Sequence, residues 1–153
     1  MRGWRASVAA AIVAAAGARS APPLHAGSAD EALSSRLQRI EGAFRGDDAG
    51  ALRASFAGNC KVRVDLKDLT DGPASYGPGQ LQVVFAHIFE EHRTREFSFR
   101  RPDVSLSPPG TAFAKGRWVR QARTGGQETV DALTFTLREE DHDWRIQEIV
   151  TSR

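Results

Sequence analysis

The residues able to do chemistry in this chain are few and scattered. His87, Glu91 and His92 form the nearest thing to a metal cluster, but positions five apart on a helix point about 140° away from each other, so the two histidines cannot grip one ion. His87 with Glu91 would supply only two ligands. His142 stands in a polar loop and His25 near the start of the chain. No serine occupies a Gly-x-Ser-x-Gly elbow, and Gly77-Pro78-Gly79 places a proline where a phosphate-cradling loop needs an N–H, so no metal, cofactor or covalent nucleophile is expected. Cys60 is the single cysteine, which excludes an internal disulfide; its parity with Val62, Val64 and Leu66 predicts a buried, inert thiol. Asp131 and Glu148 fall in predicted strands, and carboxylates there default to the surface. Tyr76, the only tyrosine, would offer a hydroxyl at a pocket mouth or pack its ring on a sheet.

One charge pattern stands out. Between positions 93 and 123 lie Arg93, Arg95, Arg100, Arg101, Lys115, Arg117, Arg120 and Arg123, against Glu96 and Asp103 alone. Such a stretch suits an anionic ligand or acidic partner, or else a solvated sheet face balanced by Asp131, Glu139, Glu140 and Asp141. Whole-chain charge argues against nucleic acid: three of the 21 basic residues (Arg2, Arg5 and Arg19) precede Gly27 without any acid, which leaves 18 against 19 in the remainder.

That front segment predicts export. A basic start is followed by an Ala/Val/Ile run from Ala6 to Ala18, too short to span a bilayer, with small residues at Ser20 and Ala26 where cleavage could fall. Residues 1–26 are therefore expected to be a signal peptide and residues 27–153 one soluble domain, exported and without stable membrane insertion after cleavage. The chain of 153 residues, 41% hydrophobic and 26% charged, has the composition of a single globular domain.

The elements that must position these residues follow from periodicity. Ser28 and Glu31 match a capping box, and Leu33, Leu37, Ile40 and Phe44 then form one helical stripe that Gly46 ends. Asp47 or Asp48 caps a short second helix with Leu52 and Phe56, and a strand runs from Cys60 to Leu66. After a loop from Asp68 to Gly79, a third helix starts at about Gln80 and carries Leu81, Val84, Phe85, Ile88, Phe89 and His92 on one wide face. The period then changes to two: a strand marked by Phe97 and Phe99, a turn at Pro108-Pro109-Gly110, strands over Phe113 to Arg123 and Val130 to Arg138, and a last strand from Trp144 to Thr151. Helices first and an antiparallel meander last predict an α+β fold, with N-terminal helices packed on a curved antiparallel sheet.

In that order, Phe44-Arg45-Gly46-Asp47 with Leu52 and Phe56, the Val62-Arg63-Val64 strand, Tyr76-Gly77-Pro78-Gly79-Gln80-Leu81, Ala114-Lys115-Gly116-Arg117-Trp118 and Trp144-Arg145-Ile146 resemble the nuclear transport factor 2-like superfamily. Its members include ketosteroid isomerase and the SnoaL-like cyclases. The chain is most similar to small secreted bacterial members of unknown function. The resemblance implies a cone-like, cystatin-like roll, and in the enzymatic branches a carboxylate on the first strand facing an apolar pocket. Val64 stands where that base would be. Asp65 is one residue on, and a one-residue offset turns a side chain to the opposite face.

The leading expectation is a noncatalytic exported domain that binds a small molecule or a protein partner in the sheet concavity. Trp118, Phe97, Phe99, Phe135 and Trp144 would line the cavity, with Tyr76 and Arg117 beside it. A cofactor-free isomerase or dehydratase using a pocket carboxylate is the first alternative, and a homodimerising assembly module the second. The first needs a carboxylate in the pocket, the second a filled cone with apolar surface outside.

Overall fold

The computed structural model describes residues 25–107 and 109–152. Leader positions up to 24 therefore lie outside the described residues. Helix α1 spans His25–Arg45, α2 Ala49–Arg53 and α3 Pro78–Glu91; the strands are β1 Val62–Asp65, β2 Ala74–Tyr76, β3 His92–Ser107, β4 Thr111–Ala122, β5 Glu128–Glu140 and β6 Asp143–Thr151. The strands form one six-stranded sheet in the order β2-β1-β6-β5-β4-β3, curved and not closed. The expected α+β class holds. One pairing departs from the antiparallel rule: β1 runs parallel to β6, because the chain crosses over through α3 and the whole meander before it returns beside β1.

Helix α1 begins at His25, three residues before the Ser28–Glu31 pair expected to cap it. Its apolar stripe behaves as its spacing dictates, with Leu33, Leu37, Ile40 and Phe44 all buried. Past Gly46 the left-handed residue is Asp47 (φ 50°), while Asp48 caps α2 by accepting the Ala51 N–H at 2.8 Å. At α3, Pro78 takes the first helical position, and the Gln80 side chain reaches back to accept the Gly77 N–H at 3.0 Å. The helix stops at Glu91, so His92 opens β3 and does not extend the apolar face of α3.

Two strand expectations need correction. Strand β1 begins at Val62, after a bend through Gly58-Asn59-Cys60; Cys60 never joins the alternation and is exposed. Strand β3 runs for sixteen residues, well beyond Phe97 and Phe99, with register shifts after Thr94 and after Phe99. The β5–β6 connection is a tight turn with both Asp141 (φ 49°) and His142 (φ 63°) left-handed, as a two-residue hairpin requires.

The outer edge of β3 faces no strand. Side chains from α1 and the turn after it satisfy that edge: Glu41 accepts the Phe99 N–H (2.7 Å), Arg45 donates to the Phe97 carbonyl (2.8 Å), and Asp47 accepts the Thr94 N–H (2.9 Å). Arg101 reaches Ser34 of α1 at 2.9 Å. The helix thus serves the edge as a neighbouring strand would.

Gly116 marks the tightest packing in the sheet. A Cβ there would stand 2.9 Å from the Phe97 ring, which is itself stacked on Phe44 at 4.2 Å and cannot retreat. Gly116→Ala should destabilise the protein by about 1–3 kcal/mol through overpacking, read as a lowered urea midpoint with an unchanged slope.

Candidate functional site

The concave side of the sheet is where the sequence places a cavity, and it is filled. Phe44 projects from α1 into the concavity and meets five rings: stacked on Phe97 at 4.2 Å, and edge-on to Trp118 (5.3 Å), Phe85 and Phe89 (both 5.8 Å) and Phe135 (6.1 Å). Trp118, Phe97 and Phe135 are 0% accessible, Trp144 1% and Phe99 7%. A cavity large enough for water beside these rings would leave them measurable accessible surface. Trp118, Phe97, Phe135 and Trp144 are core residues, and the expectation that these four line a pocket is corrected on that ground, while Phe99 keeps a small accessible area.

The other two expected site residues lie elsewhere. Tyr76 is on β2, half-buried, with its ring against the edge of the core. Arg117 points to the outer face of the sheet and pairs with Glu96 at 3.0 Å.

No carboxylate takes the place of the absent base. Val64 is fully buried on the inner face, and Asp65 turns away from it to line a surface groove of about 670 Å³ with Asp68, Thr70, Asp131 and Thr151. Asp131 is already committed to Arg120 at 2.7 Å; Arg120 in turn lies over the Trp118 ring, whose indole N–H donates to Thr94 at 3.0 Å. Glu148 is held by Arg63 and Thr136. His87 and Glu91 form an exposed pair at 3.5 Å, and among the described residues no three metal-binding side chains come together.

The basic stretch resolves mostly into ion pairs. Arg95 meets Glu128 (3.3 Å), Arg100 Asp103 (3.6 Å), Arg117 Glu96, Arg120 Asp131, and Arg123 Asp47 (2.9 Å). Only Asp131 of the four acids expected to balance it does so. Arg123 also donates to the Phe89 carbonyl at 2.8 Å, which ties β4 to the end of α3.

A half-buried ion pair that spacing gave no sign of holds the opposite end of the molecule. Arg36 of α1, 4% exposed, donates to both oxygens of Asp143 (2.7 and 2.6 Å), to the Ala54 carbonyl (3.2 Å) and to Ser55 (3.3 Å). Burial alone would raise the Asp143 pKa. The hydrogen bonds and charge of Arg36, the charge of Arg145 and the Trp144 N–H outweigh it and hold the carboxyl below its ordinary value of 3.8.

Among the described residues no helix covers the outer face of the sheet. Val130 (57% exposed) and Phe113 (41%) stand on it with Ala132, Thr134, Thr136 and Val150. In one row across the strands, Lys115 lies beside Thr134, Thr134 beside Val150 and Val150 beside Asp65; the next row holds Phe113, Thr136, Glu148 and Arg63.

No protein-family model matches the chain, and no curated protein sequence does. Its backbone is similar to solved structures: an NTF-2 like protein of unknown function from Shewanella oneidensis MR-1 (15% identity, 81% of this chain and 98% of that one, TM-score 0.62) and a ketosteroid isomerase-like protein from Erwinia carotovora atroseptica SCRI1043 (18%, 80% and 93%, 0.63). A domain of unknown function with a cystatin-like fold from Nostoc punctiforme PCC 73102 aligns at 11% identity over 82% of this chain and 77% of that one, TM-score 0.63. The fold is nuclear transport factor 2-like. Fold likeness at this identity carries no activity with it, and the nuclear transport factor 2-like scaffold is known for hosting unrelated functions.

The half-buried pair gives a pH test. A carboxyl whose folded pKa is depressed stabilises the fold fully above its unfolded value and loses that contribution as pH falls through the folded one. Urea unfolding across pH 2–7 should show stability dropping below about pH 4. In Asp143→Asn that acid limb should flatten, with about 1 kcal/mol lost at pH 7, a loss that solvent at the partly exposed Asp143 screens.

Proposed function

We propose that this domain is an exported, noncatalytic assembly module that pairs with a second copy of itself through the outer face of its sheet. The observation that carries the reading is the closed interior: with Phe44 seated among five rings, binding within the concavity would first require the core to open. The absence of a carboxylate at Val64 supports the noncatalytic part, and the basic start with its Ala6 to Ala18 apolar run supports export.

The sheet face supports self-pairing through its charges. A two-fold axis parallel to the strands and between β5 and β6 sets Lys115 of one copy over Asp65 of the other, Thr134 over Val150, and Phe113 over Arg63. Opposite charges meet at both ends of the row, and the short β-branched side chains between them allow two sheets to approach closely. A two-fold across the strands would instead bring basic β4 against itself.

Native mass spectrometry of the secreted chain should give a dimer. Asp65→Lys should weaken the dimer at least tenfold, and adding Lys115→Asp in the same chain should restore it, because the swap rebuilds the pair with reversed sign. A monomer carrying a bound small molecule, or a charge swap that fails to rescue, would overturn the proposal.

A further inference from the structure

Two guanidiniums meet one carboxylate where α1, the end of α2 and β6 join. Asp143 takes both oxygen contacts from Arg36 and a third from Arg145 at 3.0 Å, and Arg145 also donates to the Ala54 carbonyl that Arg36 uses. Arg36 keeps its buried Nε–H without an acceptor. Arg53 adjoins Ala54 in the chain and donates to Gln82 at 3.0 Å. Asp143 offsets one of the two guanidiniums on it, so that group carries an excess of one positive charge. This excess lies outside the 93–123 stretch in which the sequence concentrates its basic residues.

A cleft of about 440 Å³ opens beside the junction. Arg53 and Arg145 line it together with Ala54, Phe56, Gly58 and Pro78, and no carboxylate is among its lining residues. Each arginine is already tethered by a neighbour, Arg145 by Asp143 and the Ala54 carbonyl, Arg53 by Gln82. Less side-chain freedom is therefore lost when the two close on a ligand. A guanidinium fork matches an anion with two oxygens in one plane. Ala54 and Pro78 add accessible carbon beside the two arginines, which a hydrated inorganic ion cannot use but an apolar body can.

We infer that this cleft binds a small organic carboxylate, with the carboxylate between Arg53 and Arg145 and the carbon body against Ala54 and Pro78. The site is separate from the sheet face and does not depend on dimerisation.

Benzoate titrated into the isotopically labelled protein, followed by proton–nitrogen NMR, tests the assignment. Saturable shifts are expected at the Ala54 and Gly58 amides and at the Arg53 and Arg145 Nε–H signals, weakening as KCl is raised. Arg53→Gln, which removes one exposed side chain, should lower benzoate affinity at least fivefold. Gly58→Glu should abolish the shifts by placing a carboxylate of the protein's own in the cleft; nothing lies within 4 Å of a Cβ at Gly58, so this second variant is accommodated. Unchanged affinity in either folded variant, or the absence of saturable shifts, would overturn the inference. Inorganic phosphate binding as tightly as benzoate would mean an adventitious ion only, and would overturn it as well.

Discussion

Everything in this molecule is arranged around one ring. Phe44 stands at the end of the α1 stripe and inserts into the concavity of the sheet, where stacking on Phe97 and edge contacts with four other aromatics fix the distance between helix layer and sheet. Given that ring, the rest is constrained. β4 must carry glycine at position 116, because the Phe97 ring pressed down by Phe44 occupies the space a Cβ would need. Ala112 and Ala114 are small on the same inner face while Trp118 is large, so β4 steps in side-chain size along its length. The same plug fills the concavity with the protein's own side chains.

The fold was largely legible because helical stripes and strand alternation are local. Leu33, Leu37, Ile40 and Phe44 are spaced so that only a helix buries them together, and Leu133, Phe135 and Leu137 so that only a strand does. What spacing could not show is whether opposing apolar faces leave a gap. An aromatic lining a pocket and one filling it have identical periodicity, and the difference lies in Phe44 arriving from an element about fifty residues before Phe97. Cys60 and His92 were misplaced for a smaller reason: each extends a genuine pattern by one step past the end of its element, where the backbone has already bent.

Charges were the least legible part, because their partners are remote in the chain. Arg123 is held by Asp47 and Arg36 by Asp143, pairs separated by 76 and 107 residues. A run such as Arg93 to Arg123 therefore says little about net potential; once folded, acids from α1's end, β3 and β5 interleave with it. The opposite holds at the Ala54 junction. There Arg36 and Arg145 meet on one aspartate and Arg53 joins Arg145 along the neighbouring cleft, three arginines from three parts of the sequence, none conspicuous.

The hydrogen bonds from Glu41, Arg45 and Asp47 to the edge of β3 bear on the order in which the chain becomes safe to fold. An unpaired strand sixteen residues long is a template for joining another chain, and the hazard lasts as long as its N–H and C=O groups are open. Here the shield belongs to the helix that precedes every strand, so it is synthesised about fifty residues before the edge it covers. A chain emerging N-terminus first meets its own cover before it meets a neighbour. Docking of α1 thus closes the edge along which a second chain would add.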